Sequence, residues 1–434
     1  MEESGTKLHI SIVLKHFALF SQKLSECGRV LLSLPIKRRK NIFYNILIKS
    51  GKIIKMKHSK FIDLFAGCGG LSLGLENAGF EVVFFNEIVP TFAATYLANH
   101  QLEAGNYYIG DINGLNANIE TYRDIILNPE KPITLVCGGP PCQGFSMANR
   151  QRIIDDPRNQ LYKAYLQFLS YTRPQFFIME NVKGMASKID EIKDNFIEYL
   201  GDEYLFDYRL LNAKDFGVPQ NRERFIMIGN RIGIKPGMIF NQIDCFRREP
   251  FVLRDALEGL PCLQSRKMKN QGELESEESG YTERNFEYPD TSFYHFINGD
   301  RVVKKLYNHK NRYNNPRDIE IYRRLPQGAN SLHESIRDIM PYSNRNHMFK
   351  DKYFKLDETQ VCKTITSHMK YDCNMYIHPR EARGLSPREA ARIQTFPDDF
   401  VFCGAQNSWY AQIGNAVPVK LAEAIGRGIM KFVK

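Results

Sequence analysis

The stretch that most constrains the fold is a buried strand that stops at a rigid turn, ITLVCGGPPCQGFS from Ile133 to Ser146. Its first five residues are apolar or β-branched, which is typical of a strand buried on both faces. Two glycines then let the backbone leave the strand at unusual angles, and two prolines stiffen it. Cys142 follows, just past the carboxyl end of the strand, where open α/β sheets bind ligands. It is a candidate nucleophile if its thiol pKa is lowered, although an isolated Pro-Cys pair is more often structural.

A glycine-rich turn opens the main part of the chain, in FIDLFAGCGGLSLGL from Phe61 to Leu75. The apolar run predicts a strand ending near Phe65, and the apolar spacing after the glycines predicts a helix. Such a turn lets a ligand approach the backbone at the amino end of a helix. The dinucleotide fingerprint G-x-G-x-x-G fails because Ser72 replaces its third glycine, so the sequence does not favour NAD.

Acidic residues follow the next two predicted strands. Glu87 ends the strand EVVFFNE, 20 residues after Gly67, a spacing at which a carboxylate accepts hydrogen bonds from ribose hydroxyls. Asp111 follows a third short strand, where it is placed to meet an adenine amino group. Each acid alone is more often an ordinary surface residue. Three such strand ends on one sheet edge predict a nucleoside pocket.

Two later motifs supply further candidate site residues. Glu180 comes at the end of the apolar strand QFFIMENV, where burial would raise the pKa of its carboxyl. Arg222 and Arg224 stand two positions apart in QNRER, before another apolar strand. In an extended segment such side chains point the same way, so the two arginines are predicted to line one wall of a cleft.

Charge is concentrated at the amino end of this 434-residue chain. The net charge is +10, and residues 1–60, with 13 Lys or Arg and three acids, account for all of it. A basic N-terminal extension is therefore predicted over residues 1–57, with Met56 as a candidate true start. Residues 300–350 carry 11 basic and five acidic side chains, which suits nucleic acid as well as an ordinary solvated surface.

Composition argues against several classes of protein. No apolar run approaches the roughly 18–20 residues that cross a bilayer, so no membrane partner is expected. The nine cysteines are odd in number and lack a disulfide-like spacing, which predicts a cytoplasmic protein. Cys137 and Cys142 lie close together, but no second Cys/His pair has zinc-ligand spacing, so no metal site is expected.

Together, these motifs resemble those of the DNA (cytosine-5)-methyltransferases of prokaryotic restriction-modification systems. The resemblance covers Lys60 to Lys434 and depends on motifs that occur in the family's order. One of them can arise by chance, but the ordered set is very specific. The motifs are FIDLFAGCGG, Glu87, Gly110-Asp111, GPPCQGFS, Glu180-Asn181-Val182, QNRER, REAARIQTFPDDF and QIGNAVP.

The resemblance implies the reaction and the roles of four catalytic residues. In this family a cysteine thiolate adds to C6 of cytosine, C5 takes the methyl group of S-adenosylmethionine, and a base removes the C5 proton. Cys142 matches the nucleophile, and Glu180 matches the acid at the cytosine N3 edge. Arg224 matches the arginine at the cytosine O2, and Arg222 is its neighbour. The cytosine must be flipped out of the duplex, and the loop from Gln143 to Asn159 is the expected lid.

The resemblance also implies the cofactor site and the partners. S-adenosylmethionine is the expected cofactor and double-stranded DNA the expected substrate. A cognate restriction endonuclease is a candidate partner, and the enzyme is expected to be a monomer. Ile88 is smaller than the aromatic residue that often stacks on the adenine at its position. The expected cofactor-binding residues are Phe65, Gly67, Gly69, Glu87, Ile88, Asp111, Ile112, Pro140, Leu161 and Asn415.

The predicted fold class is α/β, with a doubly wound Rossmann-like methyltransferase sheet and a second, smaller target-recognition domain. The catalytic domain is predicted over residues 58–238 and 405–434, and the target-recognition domain over 239–404. Within the latter, Ser386 and Glu389 predict a capping box that opens a helix.

Two alternatives stay open on the sequence alone. An RNA cytosine-5 methyltransferase of the same fold shares the Pro-Pro-Cys-Gln turn. Members that act on transfer RNA tend to carry a Cys-Phe-Thr signature, whereas Lys363 and Thr364 follow Cys362 here. The second alternative is a catalytically inactive DNA-binding protein, which would have lost the nucleophile or the acid. Cys142 and Glu180 are both present.

Overall fold

The computed structural model describes residues 59–141, 161–269, 272–341 and 352–433. Three predictions concern parts of the chain outside these residues: the basic extension, the nucleophile Cys142 and the lid from Gln143 to Asn159. Among the described residues, no helix combines the length and the apolar character needed to cross a membrane.

A seven-stranded sheet forms the centre of the protein. Its strands, in chain order, are β1 (Ser59–Leu64), β2 (Phe80–Glu87), β3 (Tyr107–Ile109), β4 (Leu135–Gly138), β5 (Phe176–Val182), β6 (Leu205–Asn212) and β7 (Glu223–Asn230). They lie in the order β3-β2-β1-β4-β5-β7-β6. Strand β7 is antiparallel to both of its neighbours, and the other pairs are parallel. This sheet confirms the predicted doubly wound α/β class.

The direction of the chain across the sheet reverses between β1 and β4. Strands β2 and β3 extend the sheet on one side of β1, and β4 begins the other half, with Phe61 paired to Leu135 and Leu64 to Gly138. Open α/β sheets bind ligands in the crevice outside the carboxyl ends of two such strands. The glycine-rich turn and the Gly-Gly-Pro-Pro turn both start at these ends.

Helices cover both faces of the sheet. In chain order they are α1 (Gly70–Asn77), α2 (Pro90–Asn99), α3 (Ile112–Ala117), α4 (Arg123–Ile126), α5 (Leu161–Thr172), α6 (Ile189–Leu200), α7 (Pro236–Asp244), α8 (Leu253–Leu257), α9 (Ser292–Asn298), α10 (Pro316–Arg324), α11 (Pro387–Ile393), α12 (Gln406–Asn415) and α13 (Val419–Met430). One apolar cluster joins α1, α2, α7 and α13 to one face. A second joins α3, α5 and α6 to the other face. The last helix therefore completes the core around the sheet.

The residues after α7 form a second region that contains both helices and strands. Strands β8 (Gly280–Asn285) and β9 (Lys305–Lys310) pair antiparallel. An apolar cluster that includes Phe293 also contains Trp409, so this region shares a core with the carboxyl end of the chain. The exact extent of the target-recognition domain, 239–404, stays a prediction.

Helix α11 contains the first residues of the motif REAARIQTFPDDF, and a buried network of ion pairs surrounds it. The predicted capping box is present, because Ser386 and Glu389 each bind the other's backbone N–H. Glu389 also pairs with Arg383, with Nη2 2.6 Å from Oε1. Arg392 pairs with Asp398, with Nε 2.7 Å from Oδ1. These buried pairs fix the loops on either side of the helix.

Candidate functional site

A cleft of about 1030 Å³ lies at the carboxyl ends of β1 and β4, where the sheet order reverses. Most of the predicted cofactor and catalytic residues line it. They are Phe65, Gly67, Glu87, Ile88, Asp111, Pro140, Leu161, Glu180, Arg222, Arg224 and Asn415. Two other predicted cofactor residues, Gly69 and Ile112, are described but do not belong to its lining.

The glycine-rich turn after β1 forms one wall of the cleft. Phe65 has a φ of 55°, and Gly67 and Gly69 have φ values of 58° and 89°. A left-handed conformation costs a non-glycine residue about 1–3 kcal/mol, so Phe65 is a strained residue at the site. A Cβ added to Gly69 would lie 2.1 Å from Nε2 of His100. The absence of a side chain at Gly69 therefore lets the turn pack closely against the end of α2. This packing is consistent with the absence of Gly69 from the residues that line the cleft.

Glu87, at the end of β2, is oriented by the same turn. Its Oε2 accepts a hydrogen bond from the N–H of Gly67, and its Oε1 accepts one from the N–H of Val89, both at 2.8 Å. Burial raises the pKa of the Glu87 carboxyl, and these backbone donors oppose the rise. Each carboxylate oxygen can accept a further hydrogen bond. The arrangement suits a ligand that presents hydroxyl groups.

The end of β3 contributes Asp111 and Ile112. Oδ1 of Asp111 accepts a hydrogen bond from the N–H of Asn113 at 2.8 Å and caps α3. Ile112 is buried in the apolar cluster between α3 and the sheet. Ile88, after β2, is 59% exposed and lines the cleft. It offers an apolar surface to the flat ring of a ligand.

The rigid turn after β4 is tied to the end of β5. The carbonyl of Pro140 accepts a hydrogen bond from Nδ2 of the buried Asn181 at 2.9 Å. A Cβ added to Gly139 would lie 3.0 Å from Oε2 of Glu180, so only a small residue lets the backbone approach this carboxyl. The turn that leads to Cys142 therefore starts beside Glu180, although Cys142 itself lies outside the described residues.

Glu180 and Arg224 form an ion pair in the cleft. Nε of Arg224 lies 2.9 Å from Oε1 of Glu180, and both side chains are largely buried. Strands β5 and β7 run antiparallel, with Val182 opposite Arg224, which brings the two charges together. Burial raises the pKa of Glu180, and the positive charges of Arg224 and Arg222 oppose this. The net shift is upward, so this carboxyl keeps its proton to higher pH than an exposed glutamate does.

Arg222 connects β7 to two segments that are distant in sequence. Its Nη1 donates to the carbonyl of Ile365 at 2.5 Å, and its Nη2 donates to the carbonyls of Gly414 and Ala416 at 3.0 and 2.8 Å. The residue is almost fully buried. Its guanidinium therefore binds backbone carbonyls and joins the segments around Ile365 and Gly414 to β7.

The model of the C-5 cytosine-specific DNA methylase family matches residues 59–431. The chain belongs to this family. The family predicted from the sequence is confirmed, and the enzyme is a DNA (cytosine-5-)-methyltransferase of the prokaryotic restriction-modification type. Members of the family generally use S-adenosylmethionine and methylate cytosine in DNA.

Individual relatives agree with the family model. Type II methyltransferase M1.HphI of Haemophilus parahaemolyticus is 32% identical over 386 residues, which cover 86% of this chain and 87% of the relative. Type II methyltransferase M.XorII of Xanthomonas oryzae pv. oryzae is 30% identical over 392 residues, covering 86% and 85%. A crystal structure described as a putative DNA modification methyltransferase encoded within an E. coli prophage has 27% identity and a TM-score of 0.64, covering 86% and 98%.

The cleft of the methylase fits the family's cofactor. A Cβ added to Gly67 would meet no atom within 4 Å, so the backbone of the turn faces open space. Glu87 is already held with acceptor capacity for the hydroxyls of a ribose. The spacing of the glycines and of Glu87 in the sequence was sufficient to predict that the turn and this carboxylate belong to one ligand site.

One part of the cleft wall lies outside the predicted site residues. It comes from the segment 239–404, for which a target-recognition domain is predicted, and consists of Thr366, Ser367, His368, Lys370 and Tyr371. Ile365, just before it, donates its N–H to Oε1 of Gln220 at 2.7 Å, and Cys362 donates its N–H to the carbonyl of Pro219 at 2.9 Å. We name residues 366–371 the recognition turn. In the sequence, only the resemblance of the preceding segment CKTIT to the family indicated that residues near the recognition turn belong to the site.

The recognition turn presents an aromatic ring and a positive charge. Tyr371 is 65% exposed, and its ring centroid lies 5.3 Å from that of His368. Nζ of Lys370 lies 4.8 Å from the centroid of the Tyr371 ring. None of the ion pairs among the described residues involves Lys370. These side chains can contact an anionic ligand with aromatic bases.

Within the described parts of the chain, no group of three or more His, Cys, Asp or Glu side chains is placed to hold a metal ion.

Burial, together with the neighbouring Asp63 carboxyl, raises the pKa of the Cys137 thiol well above its usual value. Cys137 therefore stays protonated and is a structural residue of β4.

Proposed function

We propose that the methylase transfers a methyl group from S-adenosylmethionine to C5 of a cytosine flipped out of a specific duplex DNA sequence, through a covalent bond between Cys142 and C6. One observation carries the proposal. The Glu180–Arg224 ion pair, the turn that leads to Cys142, and the turn that orients Glu87 all meet in one cleft. A methyl donor and a pyrimidine bound there would lie side by side.

Glu180 is proposed to bind the N3 edge of the extruded cytosine. Its raised pKa favours the protonated form, which donates to N3 as electron density builds up in the ring. Arg224 binds Oε1 of this carboxyl through Nε, and its Nη1 donates to the carbonyl of Glu223 at 2.7 Å. Its Nη2 is proposed to donate to the cytosine O2. The pair would thus both orient the base and prepare it for attack.

Cys142 is the proposed nucleophile, and as a thiolate it adds to C6. The electron pair of the C5–C6 double bond then makes C5 nucleophilic, and C5 forms a bond to the methyl group. The bonding pair of the broken sulfur–methyl bond stays on the donor sulfur. A base then removes the C5 proton, the double bond forms again, and the thiolate is expelled. The loop from Gln143 to Asn159 is proposed to close over the base during these steps.

The proposed cofactor site uses the three strand ends and the turn after β1. S-adenosylmethionine supplies a methyl group on a positively charged sulfur when it is bound. Glu87 would accept hydrogen bonds from the ribose hydroxyls, and Ile88 would contact the adenine ring. Asp111 uses Oδ1 to cap α3, which leaves Oδ2 for the adenine amino group. Pro140, Leu161 and Asn415 are proposed to complete the site.

The DNA is proposed to lie against the recognition turn and the rest of the target-recognition domain. Base contacts from that domain would specify the sequence, whereas contacts with phosphate would position the duplex. A base inside a duplex cannot reach the cleft, so the target cytosine must be extruded.

The first experiment offers labelled S-adenosylmethionine together with duplex DNA and, in parallel, transfer RNA. Transfer to duplex DNA alone is expected, and transfer to transfer RNA alone would support the RNA methyltransferase alternative instead. Bisulfite sequencing of DNA from cells that express the methylase then identifies the methylated cytosine. No modified cytosine in either nucleic acid would favour an inactive DNA-binding protein.

The second experiment tests the covalent step with Cys142→Ser. The variant is expected to bind the cofactor normally and to transfer no methyl group. Duplex DNA with 5-fluorocytosine at the target should form a stable covalent complex with the unchanged enzyme, because fluorine cannot leave as a cation, and none with the variant. Substantial methylation by Cys142→Ser would contradict the assignment.

A restriction endonuclease that cleaves the same unmodified sequence is the proposed partner, and a monomer is the proposed oligomeric state. The type II names of the relatives support such a pairing. DNA modified by the methylase should resist that endonuclease. Light scattering of the full chain should give the mass of one copy.

A further inference from the structure

An arginine from the segment between β9 and α10 holds the backbone of the recognition turn. Nη1 of Arg312 donates a hydrogen bond to the carbonyl of Met369 at 2.7 Å, and its Nη2 donates one to the carbonyl of Tyr371 at 2.9 Å. These carbonyls belong to the residues on either side of Lys370 in the sequence. One planar guanidinium therefore fixes the backbone around the positively charged residue of the turn.

The two carbonyls lie at the end of a short helical segment. Ser367–Lys370 form a 3₁₀ helix, and Tyr371 is the residue that ends it. The last carbonyls of a helix have no donor within the helix, and a nearby arginine side chain can supply one. Arg312 supplies two such donors, and hydrogen bonds from a charged donor are roughly twice as strong as neutral ones.

Burial of one side chain and the hydrogen bonds of Arg312 together orient the turn. Met369 is fully buried in the apolar cluster that contains Trp409. Tyr371 is exposed, and both Tyr371 and Lys370 line the cleft. Because the side chain of Met369 and the carbonyls on both sides of Lys370 are held by the protein, the two lining residues are presented to the cleft in a defined orientation.

The segment that carries Arg312 is itself fixed by two other parts of the chain. The N–H of Asn311 donates to the carbonyl of Ser279, which precedes β8, at 2.9 Å. Nε2 of Gln406, on α12, donates to the carbonyls of Lys310 and Asn311 at 2.7 and 3.0 Å. The guanidinium therefore starts from a backbone that is held in place, so it can restrain the recognition turn.

We infer that Arg312 is a positioning residue for DNA binding, because it holds the recognition turn so that Lys370 and Tyr371 face the duplex. The inference rests on the proposed function, which places DNA against this turn. Arg312 acts through the backbone of the turn and needs no contact of its own with DNA. Since Arg222 binds the carbonyl of Ile365, two arginines from different parts of the chain hold this segment at its two ends.

A positioning role differs measurably from two simpler roles of Arg312. If Arg312 only attracts DNA by its charge, a lysine at this position serves equally well. If it only stabilises the fold, its substitution leaves the affinity of the folded enzyme for DNA unchanged. If it positions the turn, Lys370 contributes fully to DNA binding only while Arg312 holds the backbone, so the effects of substituting both residues do not add.

The test is a double-mutant cycle in the full chain with Arg312→Lys and Lys370→Ala. Fluorescence anisotropy measures the affinity for a labelled duplex that contains the cytosine identified by bisulfite sequencing, at several salt concentrations. Arg312→Lys keeps the charge but cannot donate to both carbonyls as a planar fork. It should weaken DNA binding about tenfold, as expected for the loss of roughly one hydrogen bond from a charged donor.

The salt dependence measures the coupling between the two residues. Lys370→Ala should reduce the slope of log K against log salt by about 1 in the unchanged enzyme and by less in the Arg312→Lys background. Hydrogen exchange should show faster exchange of the backbone amides of the recognition turn in Arg312→Lys than in the unchanged enzyme.

Arg301→Lys is the matched control for Arg312→Lys. Nε of Arg301 also donates to a backbone carbonyl, that of Asn298 at 3.0 Å, but this carbonyl lies outside the recognition turn. The control should leave the DNA affinity and the effect of Lys370→Ala unchanged. Circular dichroism establishes that each variant is folded, and Arg312→Gln takes the place of Arg312→Lys in the cycle if the latter does not fold.

The outcomes separate this inference from the proposed function. Normal DNA affinity in Arg312→Lys, or an effect of Lys370→Ala that is equal in both backgrounds, would overturn the positioning role and leave the proposed function in place. If Lys370→Ala changes neither affinity nor slope in the unchanged enzyme, the placement of DNA against the turn is wrong, and so is this inference. An unchanged enzyme that neither binds nor methylates duplex DNA would overturn the proposed function and this inference with it.

Discussion

Nε of Arg224 donates to Oε1 of Glu180 at 2.9 Å, across two antiparallel strands that carry both residues into the cleft. The pairing decides which oxygen of the carboxyl is engaged by protein. Oε2 is left on the side of Gly139, where the backbone approaches closely. The second oxygen of Glu180 and the turn that leads to Cys142 therefore lie together.

The first prediction concerns the acid. Glu180→Gln keeps the hydrogen-bonding shape but removes the transferable proton, so methyl transfer should fall by about 10²–10⁴-fold. Cofactor affinity, measured by calorimetry, should not change. Glu223→Gln, an exposed position next to Arg224 in β7, is the matched control and should transfer at the normal rate. Normal transfer by Glu180→Gln would remove this residue from the proposed chemistry.

The second prediction concerns Arg222. Arg222→Lys keeps the charge but cannot donate to three carbonyls in one plane, and an unsatisfied buried carbonyl costs about 1–3 kcal/mol. The free energy of unfolding should fall by about this amount. Because the recognition turn would lose its anchor at Ile365, KM for DNA should rise more than kcat falls. A lower kcat at unchanged KM would point instead to direct participation in the reaction.

The third prediction concerns the close approach at Gly414. A Cβ added there would lie 2.2 Å from the backbone N of Ser367 and the backbone C of Thr366. Gly414→Ala should therefore displace the recognition turn and weaken DNA binding, measured by fluorescence anisotropy. Gly237→Ala is the control, because its Cβ would meet no atom within 4 Å. Equal DNA affinities for the two variants would contradict the proposed placement of the turn against DNA.

The fourth prediction concerns the exposed residues of the recognition turn. Lys370→Ala should weaken DNA binding and reduce the slope of log K against log salt by about 1, as expected for one lost phosphate contact. Tyr371→Ala should weaken binding with little change in that slope, because it removes a contact and no charge. Lys193→Ala, on the exposed face of α6, should change neither quantity. An unchanged slope for Lys370→Ala would exclude the phosphate contact.

The fifth prediction concerns the buried ion pair of α11. Glu389→Gln removes one of the two carboxylates that pair with Arg383 and leaves Glu381 as the other, so the loss should not exceed the ~3–5 kcal/mol that breaking a buried pair costs. Burial alone would raise the pKa of Glu389, but the Arg383 guanidinium overrides it and holds the pKa far below its usual range. This pair therefore stabilises the fold above the ordinary glutamate pKa of about 4.3, and its contribution is lost as the pH falls further.

Urea unfolding at several pH values measures this effect. The loss in Glu389→Gln should be largest near neutral pH and should shrink in acid. Glu120→Gln, which breaks an exposed pair with Arg123, is the control and should not change the free energy of unfolding measurably. A loss in Glu389→Gln that does not depend on pH would contradict the assignment to the ion pair.

Local sequence patterns were sufficient for much of the sheet and for the turns at its edge. The buried strand before Gly138 and the strand that ends at Glu87 lie where the apolar runs predict them. The capping box of Ser386 and Glu389 is present because both partners lie within one helical turn. Motif order was sufficient for the family and hence for the reaction class. Each of these signals depends on residues that are close in sequence.

Other features depend on residues that only folding brings together. Arg222 reaches the carbonyl of Ile365 across 143 positions, and no local pattern distinguishes such an arginine from one in a cleft wall. The recognition turn lines the cleft because Gly414 permits it to approach. In the sequence, Asp63 is one more polar residue in an apolar strand, and only its burial in the folded protein raises the pKa of its carboxyl.

The sequence by itself therefore determined the sheet, the order of its strand-end residues and the class of chemistry. These follow from periodicity, turn preferences and motif spacing, which act between neighbours in the chain. The tertiary structure alone decided which oxygen of Glu180 is engaged, what holds the recognition turn, and how completely Asp63 is buried. The physical reason is that burial and electrostatic environment are properties of the surroundings in space, and distant segments of the chain supply those surroundings.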